Sequence, residues 1–241
     1  MTAEPGASLQ PTSRRPPRIG RLSWLRETAI VVVSALPLSL LIKTFLVQAF
    51  WVPSASMHDT LKESDRILVS KLAPGPLQVR RGDVVVFKDP GDWLSNQVTP
   101  PATRFQRGLN DVLTFVGLRP VDAGEHLVKR VIGLPGDHIV CTDPAAPVAV
   151  NGVALDEPYL APGSQPCGMV LDTTVPPDSL WVIGDNRDDS LDSRYHQDEP
   201  GRGSVPEANV VGVAFLTVWP ADRWTVLHNP GAAFAGVPDP S

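Results

Sequence analysis

Apolar positions are spread unevenly along this chain. One long run, Ala29 to Phe50, has Lys43 as its only charge, and everything after it is short apolar bursts cut by proline, glycine and aspartate. A run of about 22 residues makes a helix of roughly 33 Å, the thickness of a bilayer core. Trp24 and Trp51 flank it, where interfacial aromatics belong, and Arg14, Arg15, Arg18, Arg21 and Arg26 all precede it. The pattern predicts a membrane anchor over 23–50, with a cytoplasmic N-terminus and the remainder outside. Pro37 and Lys43 are compatible with a span, since membrane helices tolerate proline and a lysine stem can snorkel. The competing reading is a cleaved secretory signal, with Ile30 to Ile42 as its apolar core and Val47-Gln48-Ala49 as the cleavage site; the long basic leader and helix-sized length favour the anchor.

Beyond Asp65 the period changes to that of strands. Arg66 to Val69 and Asp83 to Phe87 are β-branched runs, and the second follows a turn at Gly82. His126 to Ile132 alternates, so Leu127, Lys129 and Val131 share one face while Val128, Arg130 and Ile132 share the other. A turn at Gly133 to Asp137 leads to another strand. Val182-Ile183 and Val210 to Trp219 follow, the last read as a closing strand too short for a second membrane span. Residues 1–22 read as a disordered tail, 88–125 as an insertion with one short helix over Thr103 to Val116, and 229–241 as a flexible tail. The body of the protein is therefore expected at 51–228.

Composition narrows the class. The chain has 241 residues, 42% hydrophobic, with a net charge of -5. That is enough for one substantial domain, and neither the charge nor any internal basic block points to nucleic acid. Its 26 prolines, scattered between short apolar runs, fit a loop-rich β protein better than a helical bundle. Cys141 and Cys167 match no zinc spacing. Outside the cytoplasm they are expected to form a disulfide closing a loop of about 25 residues, which contributes about 3 kcal/mol; two buried thiols are the alternative.

The candidate chemistry begins at Val52 to Met57, VPSASM. In an extended segment Ser54 and Ser56 project to the same side, so one hydroxyl can attack a carbonyl while the other donates to the developing oxyanion. Lys129, flanked on its own face by Leu127 and Val131, is a candidate for burial, and burial lowers an ammonium pKa toward the range of a base. Arg130 stays charged and cannot serve. In the charge-dense stretch Gly184 to Arg194, Asp192 and Arg194 can pair on the side of Ser190.

Four stretches in this order resemble the bacterial type I signal peptidases: Pro53-Ser54-Ala55-Ser56-Met57 with Thr60-Leu61, Arg81 to Phe87, Lys129 to Asp137, and Gly184 to Arg194. The resemblance covers about residues 25–224. It implies a mainly β fold, with an antiparallel catalytic domain, a smaller inserted β region at 138–180 and one N-terminal transmembrane helix. By position, Ser56 resembles the nucleophile and Lys129 the general base. Ser54 and the Ser56 N–H resemble the oxyanion donors, Ser190 the residue that orients the lysine, and Asp192 and Arg194 its supports. Phe50, Val52, Pro53, Met57, Leu127 and Val128 are implied to line pockets for small side chains of a substrate that pairs as an added strand. Asp59 departs from the family pattern, which usually has proline there.

The implied function is a membrane-bound serine endopeptidase cutting signal peptides from exported preproteins after Ala-X-Ala-type sites, with no metal or cofactor. Its partners would be preproteins, membrane lipid and nearby secretion machinery. SxxK, GxSxG and HExxH motifs are absent from the sequence. The rival readings are a Ser/Lys protease dedicated to one precursor and a membrane-tethered β domain that binds peptides without cutting them. The separation of Lys129 from Ser56 distinguishes enzyme from binding module.

Overall fold

The computed structural model describes residues 21–91, 93–94 and 126–240. Of the expected tail at 1–22, residues 1–20 lie outside these residues, as does the expected helix at Thr103 to Val116; Arg21 and Leu22 already belong to a helix, so the tail was drawn two residues too long.

Helix α1, Arg21–Phe45, contains Pro37. It stops short of the end of the apolar run, because Val47–Trp51 forms strand β1 instead. The expected anchor at 23–50 therefore ends too late. The reason is tertiary: β1 pairs antiparallel with β2, Arg66–Ser70, placing Phe50 opposite Ile67, and Phe50 becomes core. Cleavage after Ala49 would strip most of this paired strand. Among the described residues no helix is long and apolar enough to cross a membrane. The described residues divide into two compact units, with the boundary between Leu40 and Leu41.

The larger unit is built on antiparallel sheets. After β2 come β3, Val84–Lys88, and β4, His126–Gly133. Four short strands follow: β5, His138–Cys141; β6, Ala149–Val150; β7, Val153–Ala154; and β8, Leu171–Thr174. The chain then returns through β9, Ser179–Ile183; β10, Val205–Pro206; β11, Val210–Trp219; and β12, Thr225–Val226. The main sheet runs β1-β2-β11-β3-β4-β9-β10, with β12 on β11, and a second sheet runs β7-β6-β5-β8.

Strand β11 was expected to close the fold and lies in its middle, between β2 and β3. Register shifts after Val210, Ala214 and Thr217 adapt its ten residues to both neighbours. The continuous apolar run of β3 has a matching cause, since both of its faces are covered. Val84 and Val86 pack with Phe50, Val52, Met57 and Val128, while Val85 and Phe87 pack on the other face with Val131 and Val182. The second sheet has its own core around Ile139, Val148, Val150 and Leu171, fastened by the Cys141–Cys167 disulfide.

The expected flexible tail at 229–241 is docked instead. Asn229 Nδ2 donates to the Arg81 carbonyl and to Asp83 Oδ1, across the turn that Gly82 makes at φ +89°. Phe234 is buried in the core of the second sheet, and the Pro238 carbonyl accepts from Arg81 and Asn151. Apolar burial and unsatisfied turn groups hold a segment whose composition alone reads as loose.

Replacing both cysteines by serine is expected to lower the unfolding free energy by about 3 kcal/mol, from the loop-closure entropy of a bridge spanning 26 residues. Urea denaturation of wild type and variant checks this, with the midpoint falling.

Candidate active site

The serine segment is fixed from both ends. The Val52 N–H donates to the Asp65 carbonyl, and Ser64 N–H donates back to Val52. Ser54 is extended, but Ala55–Met57 turns into a single 3-10 coil rather than continuing as the expected extended segment. Asn186 causes the difference by claiming the carbonyls: its N–H donates to Ser56 O and its Nδ2 to Ala55 O. The two hydroxyls still converge, with Ser54 Oγ 3.3 Å from Ser56 Oγ.

The lysine arrives from β4. Val85 lies opposite Lys129 and Phe87 opposite Leu127, so the lysine stands on the predicted face with Leu127. It is 3% exposed, and its Nζ lies 2.5 Å from Ser56 Oγ. Burial away from water lowers its pKa from the ordinary 10.5 to about 8, against the attraction of Asp192 and with the repulsion of Arg194. An amine so placed loses its proton readily near neutral pH and can then accept one from the serine.

Behind this pair sits a buried lattice of charge. Both oxygens of Asp192 are engaged by Arg194, at 2.8 Å from Nε and 2.9 Å from Nη2, and Ser190 Oγ and the Gly184 N–H also donate to the carboxylate. Burial alone would raise the Asp192 pKa; these bonds outweigh it and hold the carboxyl below its usual range. Arg194 continues to the carbonyls of Cys167 and Arg187. Arg187 pairs with Glu157, which also accepts from Tyr159. Burial together with that carboxylate pushes the Tyr159 phenol pKa up, so it stays protonated. Arg130, on the opposite face from Lys129, forks onto both oxygens of Asp185 and stacks over Tyr159 at 4.0 Å.

The structure brings Ser54, Ser56, Lys129, Ser190, Asp192 and Arg194 into one region, but with one change of partner. Ser190 Oγ donates to Asp192, at 2.6 Å, rather than to the lysine amine. Val52, Pro53, Met57, Leu127 and Val128 line a cleft of about 200 Å³ beside Ser56, whereas Phe50 does not. Phe50 is 1% exposed and its ring packs on His126 in the core beneath, so the expectation that it forms a pocket wall is corrected. Trp93, Leu94, His126, Asp189 and Leu191 also line the cleft and were not singled out from the sequence. Trp93 and Leu94 follow the Pro90-Gly91 loop signal at the start of the insertion, where periodicity carries no information. The cleft is smaller than pockets that enclose drug-sized ligands and suits short side chains.

A buried hydroxyl beside a readily deprotonated amine, on an antiparallel β scaffold, describes a serine peptidase. The family profile described as "Signal peptidase, peptidase S26" matches residues 24–219, and the chain belongs to that family. It is similar to Signal peptidase I of Mycobacterium tuberculosis, 38% identical over 236 residues, covering 88% of this chain and 79% of the relative. Signal peptidase I of Leptolyngbya laminosa is 34% identical, with 95% and 92% covered, and Signal peptidase I P of Bacillus subtilis subsp. natto is 30% identical, with 84% and 91% covered. A signal peptidase I crystal structure from Enterococcus faecalis aligns with a TM-score of 0.35 at 28% identity, covering 57% of this chain and 97% of that one.

Gly184 is where the site tolerates no side chain. A Cβ there would stand 2.3 Å from Ser190 Oγ and 2.4 Å from the Ser56 carbonyl oxygen. Gly184→Ala is expected to destabilise by about 1–3 kcal/mol and to displace the serine segment. Thermal melting and kcat measured together check this, with kcat falling even at temperatures where the variant is fully folded.

Proposed function

We propose that this protein removes N-terminal signal peptides from exported preproteins, cutting after small residues of the Ala-X-Ala type through Ser56 and Lys129. The observation that carries the reading is the 2.5 Å approach of Lys129 Nζ to Ser56 Oγ within a buried setting. That separation favours an enzyme over a module that only binds peptides.

The chemistry follows from the geometry. Neutral Lys129 takes the Ser56 proton as Oγ attacks the carbonyl carbon before the scissile bond. The Ser56 N–H and the Ser54 hydroxyl donate to the oxyanion, charge stabilisation that water-excluding surroundings strengthen. The lysine ammonium then gives its proton to the departing amine, the C–N bond breaks, and an ester to Ser56 remains. Water, deprotonated by the same lysine, hydrolyses that ester. The Asp192–Arg194 pair, with Ser190 and Gly184 attached, holds the wall behind the amine.

Substrate is read as an added strand. Strand β9 pairs with β4 only from Arg130 onward, so among the described strands none covers His126–Lys129 on that side. A peptide laid along this edge places its carbonyl near Ser56 and its small side chains against Val52, Pro53, Met57 and Val128. The protein would work at the bacterial cytoplasmic membrane, with α1 as its single-pass anchor, its N-terminus cytoplasmic and the larger unit outside. Ile30, Val31, Val33 and Leu38 of that helix are exposed, and lipid would cover them. Membrane lipid and secretion machinery would then be its neighbours.

Ser56→Ala and Lys129→Met are both expected to abolish cleavage of an Ala-X-Ala preprotein in detergent or lipid while leaving the fold intact. Lys129→Met should also melt higher at neutral pH, because burying the amine costs about 3 kcal/mol there. The sign follows from a folded pKa below the unfolded 10.5: the cost is full below about 8 and fades as pH rises from there to 10.5. Cleavage by either variant at wild-type rate would remove the Ser/Lys mechanism.

Activity should depend on pH in the same sense. Only the neutral amine accepts a proton, so kcat/KM should climb about tenfold per pH unit below about 8 and level off above it. A pH–rate profile extending two units either side of that value checks this; a flat profile would count against lysine as base.

A further inference from the structure

We propose that Trp93 and Leu94 form a specificity wall for the substrate residue two before the cleaved bond, the X of Ala-X-Ala, and that this wall selects an apolar side chain. The inference rests on the reading that the substrate pairs with the edge of β4 beyond its pairing with β9.

Side chains of a paired strand alternate between faces in step with their neighbour. On one face β4 presents Val128, which packs with Val52 and Met57, and this is the surface assigned to the small residues one and three before the bond. The residue between them is directed to the opposite face, that of Leu127. There Leu127 packs against the apolar cluster that contains Trp93, and Trp93, Leu94 and Leu191 line the cleft with it. Leu191 is 63% exposed, a large apolar surface that a bound side chain would cover.

Several bonds fix this wall in place. The Asp89 carboxylate accepts the N–H of Trp93 and of Leu94, each at 3.0 Å. Trp93 Nε1 donates to Glu199 at 2.9 Å, and its ring stacks on His196 with centroids 4.3 Å apart and planes 7° from parallel. The other Glu199 oxygen bonds His196 Nδ1 at 2.7 Å, and the edge of Trp93 meets Phe87. Trp93 is 6% exposed and Leu94 half-buried, so they meet a ligand as a preset apolar surface. A leucine at X gains contact with it; an aspartate at X loses water and finds apolar carbon.

The test uses three otherwise identical peptides with Leu, Ala or Asp at X, and kcat and KM measured separately. Wild type is expected to favour Leu over Asp by about tenfold in kcat/KM, chiefly through KM, the range that apolar pocket contacts supply. Leu94→Ala should shrink the Leu-to-Ala ratio several-fold. Trp93→Phe, which keeps an aromatic face but loses the bond to Glu199, should move it in the same direction. Equal use of all three peptides by wild type, or unchanged ratios in folded Leu94→Ala, would overturn the inference while leaving the peptidase reading intact. Failure of wild type to cut any Ala-X-Ala peptide would overturn that reading and this one with it.

Discussion

The structure depends on taking one ammonium group out of water. Under the proposed mechanism Lys129 can serve as a base only because β4 carries it into the interior, where burial lowers its pKa, and every neighbouring charge bears on that shift. Asp192 is the most consequential neighbour. A bare carboxylate there would hold the proton on the lysine, but Arg194 occupies both of its oxygens, so much of the attraction is offset by the arginine's own charge. The site thus contains a carboxylate whose bonds are structural and whose pull on the Lys129 amine is partly offset by Arg194.

Arg194 also ties the second sheet to the candidate site. Arg194 and Arg187 end on the carbonyls of Cys167 and Pro166, next to the disulfide, and Arg187 pairs with Glu157 in the same inserted region. Buried arginines need their donors satisfied, and this insertion supplies carbonyls and a carboxylate at the places required. The crowding at Gly184 has the same origin, since the loop bearing Ser190 and the segment bearing Ser56 both pack onto its backbone. Serine, lysine and the supporting loop are therefore packed against one another.

Much of the site was legible from residue order. Alternation in β4 placed Lys129 with Leu127 and Val131, and a spacing of two paired Asp192 with Arg194. Both follow from local geometry, which depends on the chain within a few residues. The convergence of Ser54 and Ser56 also held, although through a 3-10 turn rather than an extended segment. What failed depended on distant partners. Asn186, some 130 residues downstream, bends the serine segment; Ile67 makes a strand of Val47–Trp51; and β2 and β3 draw β11 into the centre of the sheet.

By itself, then, the sequence determined the β character of the body, the family, and which strand face the lysine occupies, and it singled out the serine and the lysine that the proposed function uses. These are properties of periodicity and of motifs that carry their own chemistry. Only the tertiary structure decided that Phe50 is core rather than pocket wall, that Ser190 bonds Asp192, that the C-terminal segment is docked, and that Trp93 and Leu94 border the cleft. Each of these depends on which groups meet across long loops, and a one-dimensional pattern records a residue's hydrophobicity without recording the partner that will cover it.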